Sequence, residues 1–409
     1  MGRIPLVAAL ADSIWIPPRR MGDDAPLRPP GARMPPARAV LLRRVVVALV
    51  LLAAAWGVVR AANENNDFDG FHRAAAQVWY EGSASTEKTV ERYLPSFGVL
   101  LAPLGALPLA WAALIWMALN LAALWRLPRA LERLSGVSPE GQWPAWLVLL
   151  PFLLNNLGLG QSGPLLLWLM VEGLAAARHG RGAWGGVLIG LGALIKLLPA
   201  GVLAVPLLLG RVRGPLLGVF AALWVGAWLM VLALGPEPAW EAAERWRTEV
   251  REGQTPWALV EGGRSLRFNN QSVPITLART FGALSPAERR HAPGSTELAR
   301  YPLERLWTVH AGLVVGLGAL TVLAAWVARR RLAGAPAGSR GADGEGDVWL
   351  HLSGAVCVLV LVVSPLVWTH YFLLVLPAVV ALRDRPRVLL VGGSVAWVGL
   401  AIQPARGLG

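Results

Sequence analysis

The feature that most constrains this chain is a succession of long apolar runs separated by short clusters of arginine. Hydrophobic residues make up 55% of the 409 residues and charged residues only 15%, which departs from the composition of a soluble globular domain. Many runs approach the ~20 residues that a helix needs to cross a hydrocarbon core of ~30 Å. Because backbone groups in lipid must be hydrogen-bonded internally, the pattern predicts an all-α, polytopic bundle of transmembrane helices.

The net charge of +13 comes mostly from arginines that lie between the apolar runs. Arginine collects in the cytoplasmic loops of membrane proteins, so we interpret the charge as a topology signal and predict a lipid bilayer, not a nucleic acid, as the partner. The single Cys357 lies within an apolar run, and no second histidine or cysteine lies at metal-ligand spacing. We therefore predict no disulfide framework, no cysteine-based or structural zinc site and no cofactor, with a divalent metal ion left as an open alternative.

The positions of the arginines predict the topology. Arg43 and Arg44 precede the first span and place the N-terminus in the cytoplasm, so the stretch Asn63–His72 emerges on the other side. We interpret residues 1–40 as a disordered arm, 41–385 as one transmembrane domain with external loops at 63–95 and 235–305, and 386–409 as a last span with a short tail. The protein is expected to be a multi-pass protein of the plasma (inner) membrane.

Two apolar segments have lengths that do not match a single membrane crossing. Ser96–Trp125 is long for one crossing and short for two, and the basic cluster that follows favours one net crossing, with Ser96–Leu107 as a candidate re-entrant segment. Ala183–Leu209 lies between two basic turns, so it must go out and return. Pro199 cannot supply the amide that a continuous helix needs, which predicts the turn near Lys196. About 10–12 membrane segments are expected.

The stretch Asn63–His72 brings carboxylates to the end of the first span. A solvated turn explains such residues in an ordinary loop. Here the boundary position favours Asp67 as a catalytic base, with Asp69 directed elsewhere because neighbours two residues apart in an extended turn point in different directions. The spacing of apolar residues after Gly70 predicts a short helix lying in the membrane interface.

Lys196 is the only lysine in the apolar part of the chain. A charge in the middle of a bilayer costs at least ~2.5–3.5 kcal/mol, so such residues face a cavity or a partner. Snorkelling to the external interface is one interpretation, and binding of a lipid phosphate is the other. We favour the phosphate site because a break at Pro199 directs the side chain inward.

The other polar motifs all lie in predicted external turns. Gln161 follows a turn glycine, and its amide is equally suited to hydrogen-bond sugar hydroxyl groups or the backbone of the turn itself. The large loop carries arginines and a run of amides, which suit phosphate and carbohydrate, although an ordinary soluble loop also explains its arginines. These residues are Arg264, Arg267, Asn270, Gln271 and Arg279, and the last external hairpin adds Trp368 and His370.

Taken together, the motifs resemble glycosyltransferase family 87 in order and spacing from about residue 45 to 385. They are Asp67-Phe68 with Phe71, Tyr93-Leu94-Pro95, Ala102-Pro103-Leu104, Gly160-Gln161, Lys196 with Pro199, Asn270-Gln271-Ser272 with Arg279, and Ser364-Pro365 with Trp368 and His370. Phe71 and His72 depart from the family, which usually has tyrosines after the aspartate.

The resemblance implies a transmembrane bundle of the GT-C type and a hexosyltransferase. It implies a polyprenyl-phosphate sugar donor, typically of mannose, and a glycan or glycolipid acceptor outside the cytoplasm, with Asp67 as the catalytic base. Inversion is predicted separately, because a single displacement needs only one carboxylate, whereas a double displacement would need a second, for which Asp69 is the near candidate. The expected phosphate-binding residues are Lys196, Arg267 and Arg279, and the expected substrate-binding residues are Asp69, Tyr93, Gln161, Asn270, Gln271, Trp368 and His370.

A transporter or flippase of a lipid-linked glycan would need a similar cavity and cation. Transporters usually bind their substrate near the middle of the membrane, whereas the motifs here gather at one face. A scaffold without chemistry gives no reason for Lys196. The transferase is therefore the favoured interpretation.

Overall fold

The computed structural model describes residues 36–84, 93–253, 255, 260, 266, 270–290, 298–334, 342–365 and 367–401. Within these residues the regular structure is helical, with two isolated β-bridges. The helices are α1 Pro36–Ala62, α2 Asp67–Glu81, α3 Pro95–Gly105, α4 Leu109–Ser135, α5 Trp143–Gly158, α6 Gly163–Arg178, α7 Gly182–Ile195, α8 Ala204–Leu208, α9 Arg213–Leu234, α10 Pro236–Thr248, α11 Val273–Phe281, α12 Pro286–Arg290, α13 Leu303–Gly334, α14 Ala342–Val363, α15 Leu376–Ala381 and α16 Pro386–Ala401. Two 3-10 helices, Leu198–Leu203 and Thr369–Val375, precede α8 and α15, and a π-helical turn, Glu249–Gly253, follows α10.

Five helices of the described part are long and apolar enough to cross a membrane: Leu41–Ala62, Leu109–Ser135, Arg213–Leu234, Leu303–Ala333 and Gly344–Val363. Large apolar side chains remain exposed along them, as expected where lipid is the solvent. Shorter apolar helices of 10–17 residues pack among them. The predicted all-α polytopic bundle is confirmed.

The helix ends correct two predictions. α1 begins at Pro36, so the boundary of the predicted disordered arm at residue 40 is too late; residues 1–35 lie outside the described part. The extended turn expected at Asp67 is wrong, because Asp67 and Asp69 occupy the first turn of α2. Their side chains still diverge, since residues two apart on a helix do not share a face.

The apolar stretch Ser96–Trp125 is formed by one short and one long helix. The 11 residues of α3 extend only ~16 Å, too little to cross the membrane, whereas α4 has 27 residues. α3 packs tightly on α2: a Cβ atom added to Gly105 would lie 2.3 Å from the backbone nitrogen of Ala76. The arrangement agrees with one net crossing over this stretch.

The predicted break near Lys196 is confirmed. α7 ends at Ile195, Lys196 is extended (φ −151°, ψ 130°), and the chain resumes as a 3-10 helix at Leu198. Pro199 lies in the first turn of that helix, where its missing amide is tolerated. The break leaves Lys196 at the end of α7 with a buried side chain.

Arginines from five segments meet acidic or backbone partners at one end of the bundle. The pairs are Arg43–Glu140, Arg133–Glu172, Arg178 with the carbonyl of Leu134, Arg211–Glu345 and Arg383–Asp347. These arginines lie at the opposite helix ends from Asp67 and Lys196, because α1 begins near Arg43 and ends before Asp67, and α7 begins after the Arg178 turn and ends at Lys196. The bundle is therefore polarised as the topology argument requires.

Candidate active site

Asp67 owes its position to the residue before it. Asn66 is the N-cap of α2: its Oδ1 accepts a hydrogen bond from the backbone amide of Phe68 (3.0 Å), and its Nδ2 donates to the carbonyl of Gly57 in α1 (2.8 Å). The backbone amide of Asp67 donates to the carbonyl of Leu159 (3.1 Å). These bonds tie the start of α2 to two other elements and hold the carboxylate at a helix N-terminus, where negative charge is favoured.

The carboxyl group of Asp67 is largely withdrawn from water, and this burial raises its pKa above the ordinary value of 3.8. Three neighbours oppose that effect and lower the pKa: the side-chain hydrogen bond from Gln161 and the charges of Lys196 and Arg60. The charge of Asp69 raises it further. A largely buried carboxylate that accepts a hydrogen bond and lies near a cation suits a general base.

Asp67 and Lys196 lie at the two ends of a chain of hydrogen-bonded side chains. Lys196 Nζ donates to the hydroxyl of Tyr93 (3.1 Å), and this hydroxyl donates to Gln161 Oε1 (3.2 Å). Gln161 Nε2 in turn donates to Asp67 Oδ2. Four predicted site residues from separate parts of the sequence are thus in direct contact.

The aromatic rings of Tyr93 and Tyr371 flank the ammonium group of Lys196 and form an aromatic cage around it. Its Nζ lies 4.7 Å from the ring centroid of Tyr93 and 4.1 Å from that of Tyr371. Such cation–π contacts stabilise a charge that has lost much of its water. The cation is thereby held at the Asp67 end of the bundle with only 8% of Lys196 exposed, which excludes snorkelling to the interface.

The ring of Tyr93 is itself held by aromatic neighbours. It packs edge-on against Phe71 with centroids 4.9 Å apart and stacks on Phe97 at 5.0 Å. Beneath Gln161, Gly160 has a positive φ of 66°, and a Cβ atom there would lie 2.8 Å from Phe68 Cβ. The turn before Gln161 therefore requires glycine for both its conformation and its close packing.

The segment that carries Asn270 and Gln271 contacts the segment that carries Trp368 and His370. Asn270 forms an isolated antiparallel bridge with Trp368, and the amide of Gln271 donates to the carbonyl of Val367 (2.6 Å). Asn270 is fully buried, and its Oδ1 accepts from the backbone amides of Ser272 and Val367, both at 3.1 Å. Asn270 thus holds two backbone segments together beside the site.

His370 lies beside the lysine cage. Its ring contacts that of Tyr371 with centroids 4.7 Å apart, and its carbonyl accepts from Asn156 Nδ2 (2.7 Å). Among the described residues, His370 Nε2, Asn156 Oδ1 and Ser162 Oγ are buried without a hydrogen-bond partner. Buried polar atoms in native proteins are normally bonded, so these atoms are candidates to bind the hydroxyl groups of a substrate.

Asp69 and Arg279 are not members of the hydrogen-bonded chain between Asp67 and Lys196. Asp69 pairs with Arg73 one helical turn later (3.0 Å), so its carboxylate is engaged in an ion pair on α2. Arg279 lies on α11 with its guanidinium donating to Thr276, and burial lowers its pKa to about 10, which leaves it cationic at neutral pH. Arg264 and Arg267 lie outside the described residues.

Sequence reasoning missed Tyr371 and Asn66 as parts of the site. Tyr371 completes the aromatic cage around Lys196, and Asn66 positions the start of the helix that carries the Asp67 carboxylate. The run Asn63–Asn66 before a helical pattern was an available signal for an N-cap. The sequence offers no comparable signal for Tyr371, whose role depends on the fold.

The geometry combines a carboxyl group and an ammonium group in one polar region at one end of a membrane bundle. Asp67 can take a proton from an attacking hydroxyl group, and Lys196 can neutralise an anionic leaving group. Within the described residues, no three His, Cys, Asp or Glu side chains form a metal-binding group, and the absence of a metal stays a prediction.

A family model described as Glycosyltransferase family 87 matches residues 92–365, two thirds of the chain. The matched region contains Tyr93, Gln161 and Lys196 of the site, whereas Asp67 precedes it. Searches of curated proteins and of solved structures found no match.

Proposed function

Since this chain belongs to glycosyltransferase family 87, a family of membrane glycosyltransferases, we propose that it transfers a hexose from a polyprenyl-phosphate donor to a glycan or glycolipid acceptor. The proposed sugar is mannose, and the proposed base is Asp67. The observation that carries the proposal is the hydrogen-bonded chain that joins the carboxylate of Asp67 to the ammonium group of Lys196.

In the proposed reaction, the acceptor hydroxyl group gives its proton to Asp67 while its oxygen attacks the anomeric carbon of the donor. The bond from that carbon to the phosphate oxygen breaks, and its electron pair leaves with the polyprenyl phosphate. Lys196 neutralises the charge that grows on this phosphate, an effect that strengthens in the transition state. Arg279 and Arg267 are proposed as further cations for the phosphate.

A single displacement inverts the anomeric centre and needs one carboxylate. A double displacement would require a second carboxylate as nucleophile. Asp69 is the near candidate, but its pairing with Arg73 on α2 engages the carboxylate that would have to attack. This pairing supports inversion.

We place the reaction on the extracytoplasmic side of the plasma membrane. The support is the polarity of the bundle: the arginine pairs that include Arg133, Arg178 and Arg211 lie at the end opposite to Asp67. The positive-inside rule assigns an arginine-rich end to the cytoplasm.

The proposal is tested with the purified full-length protein in detergent. The assay supplies radiolabelled polyprenyl-phosphate mannose and a mixture of glycans and glycolipids extracted from cell envelopes, and it measures label in the acceptor fraction. We expect label transfer that does not require a membrane barrier, and a product with the anomeric configuration opposite to that of the donor.

A transporter would bind the same donor and leave the acceptors unlabelled. Absence of transfer from polyprenyl-phosphate mannose and from the corresponding glucose and galactose donors would refute the proposed reaction. Retention of the anomeric configuration would refute the single displacement alone.

A further inference from the structure

Beyond the proposed reaction, on which its catalytic consequence rests, we propose that Tyr93 and Gln161 form a one-way hydrogen-bond relay from Lys196 that orients the Asp67 carboxylate as an acceptor. Neither residue needs to react in this role, because both act through Asp67. They are positioning residues, and the relay couples the cation of the site to its base.

The direction of the relay follows from its first member. An ammonium group has three donors and no acceptor, so the Tyr93 oxygen must accept from Lys196 Nζ at 3.1 Å. The single hydroxyl proton of Tyr93 is then available for Gln161 Oε1 at 3.2 Å. A glutamine oxygen can only accept, so this bond selects one of the two amide orientations.

The orientation of the Gln161 amide determines which of its atoms contacts the Asp67 carboxylate. With Oε1 turned to Tyr93, the Gln161 amide presents its Nε2 donor to Asp67 Oδ2. The reverse orientation would place a carbonyl oxygen against a carboxylate, and both atoms would be acceptors. A donor fixed in this position favours the charged form of the carboxylate and opposes the effect of burial on its pKa.

The packing around Tyr93 separates its ring from its hydroxyl group. Contacts with Phe71 and Phe97 hold the ring, and its face lies 4.7 Å from Lys196 Nζ. Tyr93→Phe keeps these contacts and removes the hydroxyl group alone. The turn at Gly160 packs on Phe68, which keeps the backbone of Gln161 in place when the relay is cut.

Other groups also face Asp67 and set the background of its titration. Arg60 on α1 and Lys196 after α7 lower its pKa, and Asp69 on its own helix raises it. His370 packs against Tyr371, which also contacts Lys196, and His72 bonds to the carbonyl of Leu107. Of these side chains only Lys196 loses a hydrogen bond when the Tyr93 hydroxyl group is removed, and Gln161→Met leaves that bond in place. A shift that both variants share therefore reports on the relay.

The experiment reads the protonation of Asp67 without any sugar donor. Dicyclohexylcarbodiimide modifies protonated carboxyl groups in apolar surroundings, so the full-length protein in detergent is labelled across a pH series. Labelling at Asp67 is quantified by fragment mass spectrometry, which separates it from Asp69. We expect the pH of half-labelling to move upward by about 1 unit in Tyr93→Phe and by at least as much in Gln161→Met.

Tyr80→Phe is the matched control, because Tyr80 is 71% exposed and its hydroxyl group meets only the carbonyl of Ala106 at 3.4 Å in the described bonds. Its half-labelling pH is expected to equal that of the unmodified chain. An unchanged half-labelling pH in a folded Tyr93→Phe or Gln161→Met protein would overturn the relay. If Tyr93→Phe does not fold, Gln161→Met decides.

The same variants give a catalytic readout when transfer is measured. Loss of the relay shifts the acid limb of the pH profile of kcat/KM to higher pH, whereas a merely structural defect lowers kcat/KM equally at every pH. Failure of the unmodified chain to transfer sugar would refute the proposed function, and the labelling series would still decide whether the relay exists.

Discussion

Replacement of Asp67 by asparagine tests the base directly, because the change removes the proton-accepting charge and keeps the shape. The amide oxygen of an asparagine can still accept from Gln161 Nε2, so the contact between α2 and the turn at Gln161 is retained. We expect the folded protein to survive and sugar transfer to be lost.

The expected change in the reaction barrier is several times larger than the expected change in the free energy of unfolding. Loss of a positioned general base lowers the rate by about 10²–10⁴, equivalent to ~2.7–5.4 kcal/mol in the barrier. The effect on folding is smaller, because asparagine loses the favourable interaction of a carboxylate with the α2 N-terminus, ~0.3–1 kcal/mol, but no longer requires burial of a charge. These two changes oppose each other, so the free energy of unfolding should change by no more than ~1 kcal/mol.

The assay measures kcat/KM for transfer from polyprenyl-phosphate mannose, together with thermal unfolding in the same detergent. Glu64→Gln is the control, since Glu64 belongs to the same polar stretch, is exposed, and loses its charge in the same way. A turnover of Asp67→Asn close to that of the unmodified chain, in a protein with an unchanged melting temperature, would refute the assignment of the base.

Four further results are expected. Lys196→Met should keep the apolar contacts with Tyr93 and Tyr371 and lower kcat/KM by about 10²-fold or more, because the leaving phosphate loses its counter-charge. Initial rates over a range of donor concentrations measure this effect, and an undiminished kcat/KM would contradict the phosphate site. Gly160→Ala should lower the melting temperature, as left-handed backbone strain of ~1–2 kcal/mol adds to a contact of 2.8 Å with Phe68. Asn270→Ala should destabilise the protein by about 2 kcal/mol or more in thermal unfolding, because two buried amides lose their acceptor; equal stability would show that water replaces it. Burial raises the pKa of Asp67 above 3.8, so between 3.8 and the raised value the folded state binds more protons than the unfolded state. The free energy of unfolding should therefore fall as the pH rises through this window. Asp67→Asn should remove this slope in pH-dependent melting curves.

Much of the fold could be predicted because its signals are local. The apolar runs predicted the spans, Pro199 predicted the break after Ile195, and the arginine clusters predicted which helix ends lie together. Each of these features depends on a stretch of neighbouring residues and on the transfer of backbone and charge between water and lipid. The start of α2 was missed because a helix that begins with Asp67 looks like a polar turn when its capping by Asn66 is not considered.

The sequence alone identified the two ionisable groups of the candidate site, a carboxylate in Asp67 and a cation in Lys196, and it suggested a family resemblance that the match over residues 92–365 confirms. Only the tertiary structure decided that Tyr93 and Gln161 connect them and that Tyr371 contacts the Lys196 ammonium group. The physical reason is distance along the chain: the bonds of the relay join residues 94, 68 and 103 positions apart, and hydropathy carries no information about contacts of that kind.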